Sequence, residues 1–186
     1  MLNTSKNVQE LQQVLQQAEL VFDTACIDSA IDELAQRLTE RLEHAAPLVL
    51  CVMQGGLMFS GKIMPLLPLD AEMDYIHATR YNNNTTGDTL EWLSYPKKKL
   101  ENRTVLILDD ILDEGYTLAA IEQYCRLQGA RDVVSAVLLQ KKHDRLKPGM
   151  HCDYVALEVD DRYVFGYGMD YKGQLRHLNK IYAITT

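Results

Sequence analysis

The sequence predicts an α/β protein with a mostly parallel sheet and helices on both faces of that sheet. Short apolar runs alternate with amphipathic helical stretches, and Gly-rich or acidic turns follow the apolar runs. An unbroken apolar run is typical of a strand that is covered on both faces. No repeat or Pro/Ser/Gly-rich linker divides the 186 residues, and this length suits one domain with its own core.

Two amphipathic helices are predicted at the start of the chain. The first has an apolar face made by Val8, Leu11, Leu15, Ala18 and Phe22. The second has a longer stripe made by Ile31, Leu34, Ala35, Leu38, Leu42 and Ala45. Asp28 or Ser29 can cap the start of the second helix, and Pro47 stops it.

The middle of the chain has the alternation of a βαβ protein. Strands are predicted at Leu48–Met53, Met73–Thr79, Thr104–Leu108 and Val133–Leu139, with helices at about 57–67 and 118–128. From Tyr154 on, short strands separated by Gly166 and Gly168 predict an appended antiparallel piece rather than another crossover. Ligands of parallel sheets bind outside the carboxyl ends of the strands, so functional residues are expected there.

Composition excludes several classes of protein. The chain has 19 basic and 26 acidic side chains, and a net charge of −7 argues against nucleic-acid binding. The four cysteines form no C-x-x-C pair, which excludes a zinc ribbon or a redox motif and predicts reduced thiols. No window is apolar enough for a membrane span, and the N-terminus lacks the apolar region of a signal peptide. We therefore expect a cytoplasmic protein without membrane contact.

The most informative stretch follows the buried strand that begins at Thr104. Four acids stand within six residues, Asp109, Asp110, Asp113 and Glu114. A solvated acidic loop is the simplest interpretation of such a cluster. Its position at a strand end and before a helix start favours a binding site, because adjacent carboxylates suit a sugar diol or hydrated Mg²⁺ and helix amides can hold a phosphate.

This stretch resembles the 5-phosphoribosyl-1-pyrophosphate (PRPP) signature of the type I phosphoribosyltransferases: four apolar residues, two acids, two apolar residues, Asp, any residue, Gly, any residue, Thr. The resemblance implies that Asp109 and Asp110 hold the ribose hydroxyls and Mg²⁺, and that Asp113 lies beside the base as the general base. The turn from Asp113 to Leu118 would then bind the 5-phosphate, through Asp113, Glu114, Gly115, Tyr116 and Thr117. The family usually has a small or hydroxylated residue where Glu114 stands.

Two further segments resemble the hypoxanthine-guanine branch of that family. Gln54 and Gly55 follow a buried strand, as in its pyrophosphate loop, which carries a non-proline cis peptide bond; Gln54 replaces the usual basic residue. A plain strand-to-helix turn is the alternative. Lys141 ends another buried strand, where the family has a lysine that donates to O6 of a 6-oxopurine. The alternative for Lys141 is a solvated strand end.

The run from Asp161 to Tyr171, followed by Arg176, resembles the C-terminal signature of the same branch. It implies that Tyr163 stacks on the purine, that the Val164 backbone contacts the base edge, that Asp170 binds Mg²⁺, and that Arg176 contacts pyrophosphate. Alternating aromatic residues are also what a core strand shows. Asp113, Lys141 and Tyr163 should then line one cavity.

The resemblance extends from about residue 27 to residue 184. It implies one type I phosphoribosyltransferase domain over 1–186, with a core at about 47–157 and a small hood from about 1–46 and 158–186. The loop 80–88 matches the mobile lid of the family, with Arg80 and Tyr81 where Ser-Tyr is usual.

The implied activity is Mg²⁺-dependent transfer of phosphoribosyl from PRPP to N9 of hypoxanthine or guanine, by a homodimer or homotetramer. Three alternatives stay open: a xanthine-preferring transferase, a non-catalytic PRPP- or nucleotide-binding regulator, and a Mg²⁺-binding α/β domain of unrelated chemistry.

Overall fold

A computed structural model describes residues 2–80 and 90–185, with side chains described for 8–79 and 90–185. The elements in chain order are α1 (Leu2–Gln17), β1 (Glu19–Phe22), α2 (Thr24–Leu42), β2 (Leu48–Val52), α3 (Gly56–Ile63), a 3₁₀ turn (Met64–Leu66), β3 (Glu72–Arg80), β4 (Leu90–Ser94), β5 (Thr104–Leu112), α4 (Tyr116–Leu127), β6 (Asp132–Lys142), β7 (Tyr154–Asp160), β8 (Val164–Phe165) and β9 (Ile181–Ala183).

The strands form two sheets. The larger has the order β4-β3-β2-β5-β6-β7, and its strands pair in parallel except β4, which is antiparallel to β3. The smaller sheet has the order β1-β9-β8 and is antiparallel. The predicted α/β architecture with a mostly parallel central sheet is therefore confirmed.

Both faces of the larger sheet are buried. Along β5, Leu106 and Leu108 pack into a cluster with α2 and α3, whereas Val105 and Ile107 pack into a second cluster with α4. All four side chains are fully buried. This explains why the central strands have unbroken apolar sequences. Among the described residues, no helix is both long enough and apolar enough to cross a membrane.

The predicted N-terminal helices had wrong bounds. The first ends at Gln17, and Glu19–Phe22 instead pairs with β9 as β1. Pairing with a strand more than 150 residues away overrides the local helical period. The second helix begins after Asp23, whose Oδ1 accepts the Cys26 amide hydrogen at 2.9 Å, and it ends at Leu42. Asp28 and Ser29 lie inside this helix, and Ala45 lies beyond its end.

Several later elements also differ from the prediction. Parallel pairing extends β5 and β6 to the pair Leu112 and Gln140, so Asp109, Asp110 and Lys141 lie within strands, not in turns. The helix predicted from residue 118 begins two residues earlier, at Tyr116.

The strand β7 corrects the prediction for the end of the chain. It pairs in parallel with β6, although the connection 143–153 has no helix, so the antiparallel piece begins only at β8. The edge strand β4 was not predicted.

Candidate active site

A cavity of about 380 Å³ opens at the carboxyl ends of β2, β3 and β5. This is the edge of the sheet where ligands are expected. The cavity brings together every residue that the sequence assigns to PRPP: Gln54, Gly55, Asp109, Asp110, Asp113, Glu114, Gly115, Tyr116, Thr117 and Arg176. These residues come from three separate segments of the chain, so their convergence is a property of the fold.

Two adjacent carboxylates lie at the floor of this cavity. Asp109 and Asp110 are only 7% and 8% exposed. Burial raises the pKa of Asp109 well above its usual range, and the charge of Asp110 raises it further. Burial also raises the pKa of Asp110, against the opposing effects of a hydrogen bond with Asp109 and the charge of Arg176. Two adjacent, buried carboxyl groups suit a divalent cation such as Mg²⁺, which would neutralise the charge of the pair.

The loop after β2 packs directly on Asp110. A Cβ atom on Gly55 would lie 1.9 Å from Asp110 Oδ2, and a Cβ atom on Gly168 would lie 2.1 Å from the Gly55 carbonyl oxygen. Gly168 has φ of +101°, a conformation that favours glycine. The Met53–Gln54 peptide bond is cis. These close contacts hold the loop at Gly55 and the turn at Gly168 beside Asp110.

Arg176 and Asp170 also line this cavity. Arg176 Nη2 lies 2.6 Å from Asp170 Oδ1, and Nη1 donates to the Gly168 carbonyl oxygen at 2.6 Å. Asp170 Oδ2 also accepts the Gly173 amide hydrogen. Arg176 Nε is buried without a hydrogen-bond partner among the described residues. A partly exposed guanidinium that keeps one donor unsatisfied and lines an open cavity suits an anionic ligand.

The turn that the sequence assigns to the 5-phosphate ends at the start of α4. Gly115 has φ of +79° and occupies the N-cap position of that helix. A helix N-terminus leaves its first amide groups without acceptors inside the helix, so it can bind a phosphate. The Glu114 carboxylate is 3.8 Å from Arg145 Nε, and this guanidinium offsets its negative charge.

A smaller cavity of about 190 Å³ adjoins the first, and Asp110, Asp113 and Asp170 line both. It contains the four residues assigned to the purine, Lys141, Tyr163, Val164 and Asp170. Asp113, Lys141 and Tyr163 therefore line one cavity. The Tyr163 ring is half exposed, whereas Phe165 and Tyr167 are buried and belong to the core, as the alternative interpretation of alternating aromatics requires.

Asp113 has two donors. Lys141 Nζ lies 2.7 Å from its Oδ2, and His143 Nε2 lies 2.8 Å from its Oδ1. Burial acts to raise the pKa of Asp113, but hydrogen bonds from Lys141 and His143 outweigh it and lower the pKa below its usual range. Sequence reasoning missed His143. His143 directly follows β6, two positions after Lys141, so the period of two along a strand could have pointed to it.

Sequence reasoning also missed Arg145, which links the group around Asp113 to the loop after β7. Its guanidinium pairs with both carboxylate oxygens of Asp161, at 2.6 and 2.9 Å. Asp113, His143 and Asp161 bring three possible metal ligand atoms within 4.8 Å of one another. Lys141 and Arg145 already neutralise these acids, so we assign no metal there.

The predicted lid lies mostly outside the described residues. Arg80 ends β3 and its side chain is not described, and Tyr81 lies outside the described ranges. His77, Ala78 and Thr79, which precede the lid, line the larger cavity.

Comparison with known proteins identifies the class. A family model described as the phosphoribosyl transferase domain matches residues 20–172. The chain belongs to the phosphoribosyltransferase family.

Its relatives narrow the branch. The chain is 31% identical over 153 residues to the hypoxanthine-guanine phosphoribosyltransferase of Bacillus subtilis, covering 82% of this chain and 84% of that protein. It is 29% identical over 159 residues to the hypoxanthine-guanine-xanthine phosphoribosyltransferase of Tritrichomonas foetus, covering 86% and 87% of the two chains.

Solved structures of this branch share the fold. A hypoxanthine-guanine-xanthine phosphoribosyltransferase superimposes with a TM-score of 0.82 at 26% identity, covering 90% of this chain and 97% of that one. A hypoxanthine phosphoribosyltransferase from Staphylococcus aureus gives a TM-score of 0.84 at 24% identity, covering 90% and 91%. The fold is that of the type I phosphoribosyltransferases.

Proposed function

We propose that the chain is a purine salvage enzyme that transfers phosphoribosyl from PRPP to N9 of hypoxanthine or guanine, giving IMP or GMP and pyrophosphate. The observation that carries this proposal is the pair of adjoining cavities. One collects acids, a helix start and a guanidinium suited to a sugar phosphate, and the other joins Asp113, Lys141 and Tyr163 around a space for a flat base.

The purine cavity favours a 6-oxopurine. Lys141 offers hydrogen-bond donors and no acceptor, so it pairs with the oxygen of a 6-oxo group and mismatches a 6-amino group. Tyr163 offers its ring face to the base. Its hydroxyl donates to the Asp170 carbonyl oxygen at 3.1 Å, which fixes the ring near that cavity.

The reaction forms the N9–C1′ bond and breaks the bond between C1′ and the pyrophosphate oxygen. We assign Asp113 as the general base that accepts the proton from N7 of the purine. Its lowered pKa keeps the carboxylate ionised and ready to accept at neutral pH. Arg176 and the loop at Gln54 and Gly55 bind the pyrophosphate as negative charge develops on it. Closure of the lid, with Arg80 and Tyr81, excludes water from the sugar.

Mg²⁺ is the proposed cofactor, held by Asp109, Asp110 and Asp170. The buried acid pair fits it, because burial and the charge of Asp110 raise the pKa of Asp109, and a dication would stabilise both carboxylates in their ionised form. When bound, the ion supplies charge neutralisation on the pyrophosphate.

We propose that the chain acts as one domain. The strands of the smaller sheet come from the segments predicted for the hood, 1–46 and 158–186. A homodimer or homotetramer is proposed from the family resemblance, and light scattering after size-exclusion chromatography tests it. The cytoplasm is the proposed compartment, because all four cysteines are free thiols.

One assay tests the proposed function. Purified protein with Mg²⁺ and PRPP is given hypoxanthine, guanine, xanthine or adenine in turn, and nucleotide formation is followed. We expect IMP and GMP to form and adenine to be rejected. Xanthine is included because a relative is named for it. Preference for xanthine would replace the substrate assignment, and no product from any base would overturn the proposed function.

A further inference from the structure

His143 lies between the proposed general base and the backbone of the following loop. Its side chain is only 4% exposed. On one side, Nδ1 accepts the Arg145 amide hydrogen at 3.1 Å; on the other, Nε2 lies 2.8 Å from Asp113 Oδ1. Because Nδ1 is an acceptor, the ring proton is on Nε2, and the neutral imidazole donates to Asp113.

His143 and Lys141 hold different oxygens of the same carboxylate. Lys141 donates to Oδ2 and lines the purine cavity, so it is available to the base. His143 lines neither of the two cavities. An ammonium that turns towards O6 of the purine weakens its hydrogen bond to Asp113. His143 is then the donor that stays with the carboxylate during the reaction.

We propose that His143 is a positioning residue, which fixes the orientation of the Asp113 carboxylate while Lys141 is engaged with the base. The inference rests on the proposed function. The hydrogen bond from His143 is among the causes that lower the pKa of Asp113. The charged groups around this carboxylate are Lys141 and, at 3.9 Å, Arg145, which itself faces Asp161 and Glu114.

Three variants test the proposal through transferase kinetics. His143→Leu has nearly the same volume but no donor, and we expect kcat to fall about tenfold with KM values within about threefold, as for loss of one hydrogen bond to a charged group. His143→Gln keeps an N–H donor of similar reach and should recover to within about threefold of the original kcat. His151→Leu is the matched control, since His151 lies in the same connection with a side chain 79% exposed.

The pH profile separates positioning from general damage. Loss of a donor to an ionised carboxylate raises the carboxylate pKa, so the acid limb of kcat/KM should move to higher pH in His143→Leu and stay in place in His151→Leu. A His143→Leu kcat within about twofold of the original with an unmoved acid limb would overturn the proposal. So would His143→Gln that is as impaired as His143→Leu.

NMR tests the proposal without kinetics, and it serves if His143→Leu fails to fold. In ¹⁵N-histidine NMR of the unmutated protein, the signal absent from His143→Gln should show a protonated Nε2 and an unprotonated Nδ1, with and without IMP. Protonation at Nδ1, or a freely exchanging Nε2–H in the IMP complex, contradicts the proposal. If the unmutated protein forms no nucleotide, the proposed function fails, whereas the NMR result still decides the contact with Asp113.

Discussion

The acid pair at the end of β5 and the single acid in the following turn are separated by only two residues, yet their surroundings are opposite. Asp109 and Asp110 are buried, and their pKa values are raised. Asp113 is partly exposed, contacts Lys141 and His143, and has a lowered pKa. Burial raises the pKa of both acids in the pair, and the charge of Asp110 adds to this effect at Asp109, whereas hydrogen bonds from two donors outweigh burial at Asp113.

The difference separates two tasks within one loop. The pair in the strand requires positive charge from outside the chain, which a ligand with its metal ion brings. The acid in the turn has its positive partner inside the protein, so it stays ionised before any substrate binds. We infer that the acid pair binds the ribose hydroxyls and Mg²⁺ and that Asp113 accepts the proton.

The largest expected effect comes from removing the proton acceptor. Asp113→Asn keeps the shape of the side chain, and kcat should fall about 100-fold or more, because general base catalysis contributes roughly 10² to 10⁴. KM for PRPP should change less than about threefold. Steady-state kinetics measure both, and a kcat within threefold of the original protein would remove Asp113 from the reaction.

A substitution of Lys141 should affect the use of the purine but not the binding of PRPP. Lys141→Met should lower kcat/KM for hypoxanthine by about 10- to 100-fold, since a charge-assisted hydrogen bond is lost, with little change in KM for PRPP. Lys142→Met is the matched control, because Lys142 pairs with Glu158 on the exposed surface. Equal losses in the two variants would contradict the assignment of Lys141 to the purine.

Arg176 lines the cavity that we assign to PRPP, and its substitution tests the binding of that anionic substrate. Arg176→Gln should raise KM for PRPP about tenfold, because a guanidinium that lines the same cavity as the acid pair is lost. KM for the purine should change far less. Arg41→Gln, which removes a surface ion pair with Asp132, provides the control for a lost arginine. A larger effect on the purine than on PRPP would refute the placement.

The smallest effect concerns stability. The pKa of Asp109 is raised in the folded state, so the stability it contributes at low pH is lost as pH rises through that raised pKa. Asp109→Asn mimics the protonated form and should raise the melting temperature of the ligand-free protein by about 2 to 4 °C at pH 7. The gain should vanish at acid pH, where both proteins are neutral at this position. A gain that does not depend on pH would show that the buried charge of Asp109 is not its cause.

The strands at the centre of the fold were predictable because the signal for them lies in their own sequences. Leu48–Val52 and Thr104–Leu108 are apolar on both faces, which only a covered strand requires. The segments Glu19–Phe22 and Tyr154–Asp160 carry no such signal. Each acquires its structure from a partner strand, and β1 pairs with a strand at the other end of the chain.

The residues of the site also divide into those that the sequence indicated and those that it did not. Its acids, glycines and C-terminal residues stand in motifs, so the sequence indicated them, although only the fold shows that they share two cavities. His143 and Arg145 stand in no motif. Their importance depends on the length of β6, which places Lys141 and His143 beside Asp113, and strand ends are set by tertiary pairing.

The most direct test of this division between the acid pair and Asp113 is a crystal structure of the protein with IMP, pyrophosphate and Mg²⁺. The account predicts purine N7 within hydrogen-bond distance of Asp113, O6 within reach of Lys141 and the ring against Tyr163, with the ribose hydroxyls on Asp109 and Asp110. A purine bound away from Asp113, or a ribose that does not contact the acid pair, would contradict it.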